Sequence, residues 1–170
     1  MNQPVLSTYK ILMQKSMNHF IDESWIDWAI EMMEAGFESE NLYMLAGTTK
    51  PYNQFQLQDL TTKVLKDLDL DYSDRNLIIK NYIYYLIKIT LNDPTTYLNT
   101  LQILTDICRD LDYDKNYMDF YYLYFAKDEL KDFDHQYYWN GADRNNIDII
   151  IVEKFNEWIK KYELEKAKYI

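Results

Sequence analysis

The side chains of this chain best suited to chemistry are two histidine–carboxylate pairs and one thiol. His19 is followed by Glu23, and Asp132 by His135. On a helix, each spacing puts both members on one face, where they could supply two metal ligands. A working metal site needs three or four converging ligands with a supporting hydrogen-bond shell. A di-iron centre in a bundle needs two Glu-x-x-His units, and the sequence has none. Both histidines are therefore expected to be surface or capping residues, with no metal and no cofactor. Cys108 lies between Ile107 and Arg109. A thiolate nucleophile needs a strongly basic or histidine environment, so Cys108 reads as a small buried hydrophobe. Asp67-Leu-Asp69-Leu-Asp71 and Asp110-Leu-Asp112-Tyr-Asp114 open like calcium loops. Their sixth positions hold Tyr72 and Lys115 instead of glycine, and their twelfth hold Ile78 and Tyr121 instead of glutamate. They read as acidic turns between helices. With no phosphate-cradling glycine loop and no Ser/His/Asp arrangement, the chain is expected not to be an enzyme.

Residues suited to recognition are plentiful. The 170 residues include 17 Tyr and carry a formal net charge of -10. The acid is concentrated between Leu101 and Ile150. There 11 Asp and Glu face 5 cations (Arg109, Lys115, Lys127, Lys131, Arg144), a local balance of -6. The same stretch holds seven Tyr and Trp139. Tyrosine gives contact area and a hydroxyl at low entropic cost, which suits it to interfaces. A sequence pI near 4.6 disfavours nucleic acid and anionic membrane, since phosphate contacts need clustered Lys and Arg. The electrostatic complement is a basic protein. The alternative is that the acid serves only solubility.

The elements that must position these groups are helices. Only 3 Gly and 3 Pro argue against an all-β chain, which needs turn residues at short intervals. The expected fold is all-α, a single domain over residues 1–170, either a helical bundle or a short HEAT-like stack of antiparallel helices. Helix signals run from a first short segment at Pro4–Met13 to a last one opened by Asn146 and reaching about Lys166. Between them Asp22, Ser39, Asn53 (with Gln56), Ser73, Asp93-Pro94 and Asp114 or Asn116 each open a helix, and Gly36 and Gly47 stand at stops. The Ser73–Leu91 segment has a thin polar stripe and should be the central buried helix. Lys160, Lys161, Lys166 and Lys168 suit a helix C-terminus. The pairs Asn53–Asn92 and Asp93–His135 each have the roughly 40-residue length of a HEAT-type unit. One cysteine excludes an internal disulfide, so either the compartment is reducing or the fold does not depend on oxidation. The N-terminal stretch lacks the apolar run of a secretory signal. The longest apolar run, Tyr82–Ile87, is far short of the ~20 residues that span a bilayer, so a cytoplasmic protein is expected.

On the helix following Asn116, a projection at 100° per residue puts Tyr122, Leu123, Ala126, Leu130 and Phe133 on a core face. Tyr117, Tyr121, Tyr124, Asp128, Lys131, Asp132 and His135 fall on the opposite side. Tyr137, Tyr138, Trp139 and Asp143 follow in a loop. Either another helix covers these tyrosines, or they form an interface.

The string Asp27-Trp28-Ala29 to Gly36, Glu40-Asn41-Leu42, Leu45-Ala46-Gly47 and Pro51-Tyr52-Asn53-Gln54-Phe55 covers about a fifth of the chain. It resembles small acidic all-helical bacterial proteins of unassigned activity, similar in style to immunity proteins of bacterial toxin systems. Most of its residues are core or helix-stop types, so the resemblance speaks mainly to fold and supplies no catalytic residues. The expectation that follows is a non-enzymatic protein-binding module, foremost an immunity-type inhibitor occluding a basic toxin or nuclease domain. Its contact residues would be Tyr117, Tyr121, Tyr124, Asp128, Asp132, Tyr137, Tyr138, Trp139 and Asp143. The alternatives are a nucleic-acid mimic or adaptor for another basic protein, and an enzyme with an unrecognised carboxylate site.

Overall fold

The computed structural model describes residues 3–167 and, within the last helix, side chains as far as Glu165. Lys168 and the side chain of Lys166 lie outside the described residues. The described residues form eight α-helices and no strand: α1 (Thr8–Ser16), α2 (Glu23–Glu34), α3 (Glu40–Ala46), α4 (Gln54–Asp67), α5 (Arg75–Thr90), α6 (Tyr97–Asp110), α7 (Met118–Asp132) and α8 (Ile147–Ala167). The fold is all-α. No described helix is long and apolar enough to cross a membrane. The chain divides into two compact units, Met1–Tyr82 and Ile83–Ile170, and the boundary falls inside α5.

Local chemistry sets the helix starts. Asp22 accepts from the Ser24 N–H, Ser39 from the Leu42 N–H and Asn53 from the Gln56 N–H, as their sequence positions predict. The other starts differ: α1 begins at Thr8 rather than Pro4, and α7 at Met118 after Tyr117, with no side-chain cap from Asp114 or Asn116. Asp74, not Ser73, caps α5 by accepting from the Leu77 N–H at 3.0 Å, while Ser73 donates to Asp71. Asp93-Pro94 opens a single 3-10 turn, Pro94–Thr96, before α6. At α8 the cap is reciprocal: Asp143 accepts from the Asn145 and Asn146 N–H groups, and Asn146 Oδ1 accepts from the Asp143 N–H at 2.7 Å.

Four helices end by one device. Asn18, Gly36, Asp69 and Asp112 all have positive φ (56°, 87°, 54° and 55°) just past α1, α2, α4 and α6. In each turn two N–H groups reach back to the last carbonyls. Leu70 donates to Leu65 O and Asp69 to Lys66 O; Tyr113 donates to Cys108 O and Asp112 to Arg109 O. This is the Schellman arrangement. The chain is poor in glycine and uses Asn and Asp, the residues that best tolerate the left-handed region. The two Asp-x-Asp-x-Asp strings are thus helix stops. Gly47, at φ -83°, needs no such freedom.

The first unit is built around α2. Trp25 and Trp28 are buried and meet edge to face at 5.8 Å, among Ile11, Ile21, Met32, Leu42, Leu45 and Leu65. Burying each such side chain stabilises by roughly 1.5–3 kcal/mol. Trp28 Nε1 donates to Thr8 Oγ1 at 2.9 Å. A polar clamp joins α4 to the α1–α2 connection. Gln54 exchanges two hydrogen bonds with the Ile21 backbone, each 2.8 Å, and Gln58 Nε2 donates to His19 O. The ammonium of buried Lys15 donates to Gln58 O, Gln58 Oε1 and Thr61 Oγ1 at 2.9–3.0 Å. Burial pulls the Lys15 pKa down, against a raising influence of Asp59.

In the second unit α6 buries seven of its 14 residues, among them Leu101, Leu104, Ile107 and Cys108. α5 buries as many residues, seven of its 16, but leaves Leu77 and Ile89 exposed, so it shares the core with α6 rather than dominating it. Its second half meets α8 through an aromatic column. Tyr84 stacks on Tyr162 at 4.8 Å, Tyr162 stacks on Trp158 at 5.5 Å, and Tyr84 donates to Glu163. Tyr97 and Phe120 both pack against Phe155 of α8.

Two stability changes follow. Replacing exposed Asp69 by Val puts a β-branched side chain at positive φ and should cost about 1–2 kcal/mol in urea denaturation, whereas Asp69→Gly should not destabilise. Gln58→Ala removes one of the Lys15 acceptors and the bond to His19 O, and should cost about 1–3 kcal/mol. Adding Lys15→Met should recover part of that loss, because the buried charge is then gone. Purely additive losses would show that the clamp does not couple the two residues.

Candidate functional site

None of the three reactive-type features in the sequence assembles a reaction centre. His19 lies in the connection before α2, so it does not share a helix face with Glu23, which pairs with Lys50 at 3.0 Å. α7 ends at Asp132, so His135 leaves the helix and packs on the rings of Phe133 and Tyr137. Among the described residues no three His, Cys, Asp or Glu side chains gather as a metal site. Cys108 is buried, and burial pushes its thiol pKa up, with Asp114 adding to the shift and Arg109 opposing it. A thiol held protonated is a poor nucleophile. The exposed Asp71 carboxyl moves down, because the N–H and hydroxyl of Ser73 donate to it. That is a turn contact and not a poised acid.

The residues that the sequence suggests for recognition lie on α7 and in the loop after it, and not all of them reach the surface. The buried stripe of α7 is Phe120, Leu123, Ala126 and Leu130, with Tyr117 ahead of it. This corrects the projected faces at three points. Tyr117 is buried (7% exposed) and belongs to the core, while Tyr122 (39%) and Phe133 (58%) are exposed. Tyr121 and Tyr124 are half-buried. Their rings belong to a continuous aromatic run: Tyr113–Tyr121 5.7 Å, Tyr121–Phe125 4.9 Å, Tyr124–Phe125 5.0 Å, and Phe125 stacked on Tyr138 at 5.1 Å. Tyr122 joins through Tyr121. Sequence reasoning missed Tyr113 and Phe125. The signal for Tyr113 is the left-handed stop at Asp112, which continues into Tyr113 (φ 58°) and leaves it 52% exposed.

The loop from Phe133 to Asn146 is ordered by one amide. Gln136 Nε2 donates to Trp139 O and Ala142 O, and Gln136 Oε1 accepts from the Tyr138 and Trp139 N–H groups. Arg144 Nε donates to Leu130 O at 2.8 Å, and its guanidinium pairs with Asp134. This fastens the loop to the end of α7. Tyr137 is 85% exposed, Tyr138 is exposed and Trp139 is half-buried, with the Lys154 ammonium 5.7 Å from its ring centre. Asp143 is exposed, but its carboxylate is engaged in capping α8. Asp128 pairs with Lys131 at 2.5 Å, and Asp132 is exposed. Tyr121, Tyr124, Asp128, Asp132, Tyr137, Tyr138 and Trp139 thus sit on or beside this surface. Tyr117 is a core residue, and Asp143 has a structural role.

Comparison with known proteins finds no matching family model, no matching curated protein and no matching solved structure.

Tyr117 offers a test of the corrected faces. Burial, then Asp114 and Glu165, push its phenol from 10.0 up to about 12. The fold holds the neutral form, so this contribution to stability is full below pH 10 and is lost as pH rises from 10 through about 12. In an ultraviolet phenolate titration, Tyr117→Phe should shrink the latest-ionising component, to which Tyr84 and Tyr97, also pushed up by burial, contribute as well. An unchanged late component would return Tyr117 to the surface.

Proposed function

We propose that this chain is a non-enzymatic protein-binding module, an immunity-type inhibitor that occludes a basic toxin or nuclease domain in the cytoplasm. The observation that carries this reading is the aromatic run from Tyr113 through half-buried Tyr121 and Phe125 to Tyr138, exposed at both ends. It lies in the segment whose carboxylates outnumber its cations by 11 to 5. Most of those cations are engaged internally: Lys127 with Asp148, Lys131 with Asp128, Arg144 with Asp134 and Arg109 with Asp106. A positive partner would be steered toward the remaining acid, and the aromatic rings would supply the desolvated centre of the contact. The hydrogen bonds of Gln136 and Arg144 hold the loop in shape beforehand, which lowers the ordering cost of binding. The resemblance to immunity proteins in the Asp27–Phe55 string agrees with this mechanism and does not itself place the surface.

The test is co-expression with a basic toxin-domain protein encoded by an adjacent gene. Growth arrest by the toxin should be relieved, and the two proteins should co-purify with an association rate that falls steeply with salt, since screening acts over ~10 Å at 0.1 M ionic strength. Tyr124→Ala and Tyr138→Ala should each weaken the complex by about 2 kcal/mol if central, with the melting temperature unchanged. Failure to relieve toxicity, or salt-independent association, contradicts the reading.

A further inference from the structure

Resting on the reading that this chain binds a basic protein, we infer that the ridge of Tyr113, Tyr121, Tyr122, Phe125 and Tyr138 selects arginine, its occupant being an arginine-bearing segment of that partner. The ridge is a run of partly exposed rings, with Phe125 and Tyr138 stacked and Tyr121 meeting Tyr113 and Tyr122 edge to face. Tyr113, Tyr122 and Tyr138 are 52%, 39% and 40% exposed, and Tyr121 and Phe125 lie between them at centroid distances of 4.9–5.7 Å. A purely apolar occupant would make no use of the rim carboxylates, of which Asp128 already pairs with Lys131 while Asp112 and Asp132 are exposed. Asp112 adjoins Tyr113 in the chain, and Asp128 and Asp132 follow Phe125 by about one and two helical turns. The cation beside them, Lys131, is held by Asp128 at 2.5 Å. An occupant that satisfies both rings and carboxylates is a cation with a flat, weakly hydrated face.

The chain already uses this pairing on itself in the neighbouring loop. The Lys154 ammonium lies 5.7 Å from the Trp139 ring centre while bonding Glu157 at 2.8 Å, with Asp119 at 3.9 Å. There an aromatic face and two carboxylates hold one cation. The ridge holds more rings, and among the described residues the other cation–ring contacts, Lys50 over Tyr52 and Lys88 over Tyr84, lie elsewhere. Arginine fits better than lysine because its guanidinium is planar, stacks on rings and binds carboxylates through two parallel N–H groups.

The experiment titrates the full chain with a hexa-arginine peptide and a hexa-lysine peptide of equal charge. Calorimetry and aromatic carbon–proton NMR provide the readouts. The expected result is about tenfold tighter binding of the arginine peptide, as two or three stacked contacts would give. Shifts should be centred on the ridge rings, and Tyr138→Ala and Tyr113→Ala should each remove much of the arginine preference while Tyr138→Phe keeps it. Melting temperatures identify any variant that unfolds, and Tyr122→Ala serves as a third site. Equal, salt-sensitive binding of both peptides overturns the arginine preference and leaves the basic-partner reading standing. Arginine binding with shifts elsewhere, or unaffected by the alanine variants, also overturns it. Failure of both peptides to bind counts against both.

Discussion

The candidate surface depends on how α7 is rotated about its axis. Phe120, Leu123, Ala126 and Leu130 form a buried stripe at spacings of three and four, and Tyr117 extends it by one turn. Phe120 meets Phe155 and Trp158 of α8. With that stripe fixed, the positions between its members must face outward, and among them are Tyr121, Tyr122, Tyr124 and Phe125. A turn of α7 by one residue would bury the wrong rings and leave core leucines in water, at roughly 1.5–3 kcal/mol for each side chain exposed. The packing that stabilises the second unit is therefore also what displays the aromatic residues.

Backbone devices complete the surface at both ends. Before α7, the left-handed stop of α6 continues through Asp112 into Tyr113 and brings its ring to Tyr121. After α7, Gln136 satisfies four loop backbone groups and sets Tyr138 against Phe125. Neither device involves a buried charge. Among the described residues the one buried ammonium, that of Lys15, is in the first unit, where Gln58 and Thr61 accept its hydrogen bonds. The candidate surface is thus ordered mainly by amide hydrogen bonds and ring packing, with Arg144 tying the loop to Leu130 O and Asp134 at the end of α7.

Much of the fold was legible because helix signals are short-range. Asp22, Ser39 and Asn53 cap as their positions predict, since a cap needs only its own side chain and an N–H two or three residues on. Two of the three errors on α7, at Tyr117 and Phe133, share a cause; the third, Tyr122, lies inside the helix, beside the buried stripe. The projection at 100° per residue was carried past both ends of the helix. Tyr117 is the residue before the first turn (φ -118°, ψ 0°), and Phe133 leaves the helix in extended conformation (φ -121°, ψ 157°). Neither lies where a helical projection puts it, so Tyr117 is buried and Phe133 exposed. The clamp of Gln54 and Gln58 was invisible for another reason. Their partners are backbone groups of Ile21 and His19, more than 30 residues away, and polar residues on a helix normally read as a solvated face. The role of Asp143 as a cap was hidden because its partner Asn146 was itself a plausible cap.

The most direct test is hydrogen–deuterium exchange of the chain alone and saturated with its toxin-type partner. The account predicts that new protection is concentrated in residues 133–146 and around Tyr113, with the α1–α4 helices unchanged. Protection confined to the concavity lined by Met44, Pro51, Phe55 and Leu60 in the first unit, or absent from the 133–146 loop, would contradict it.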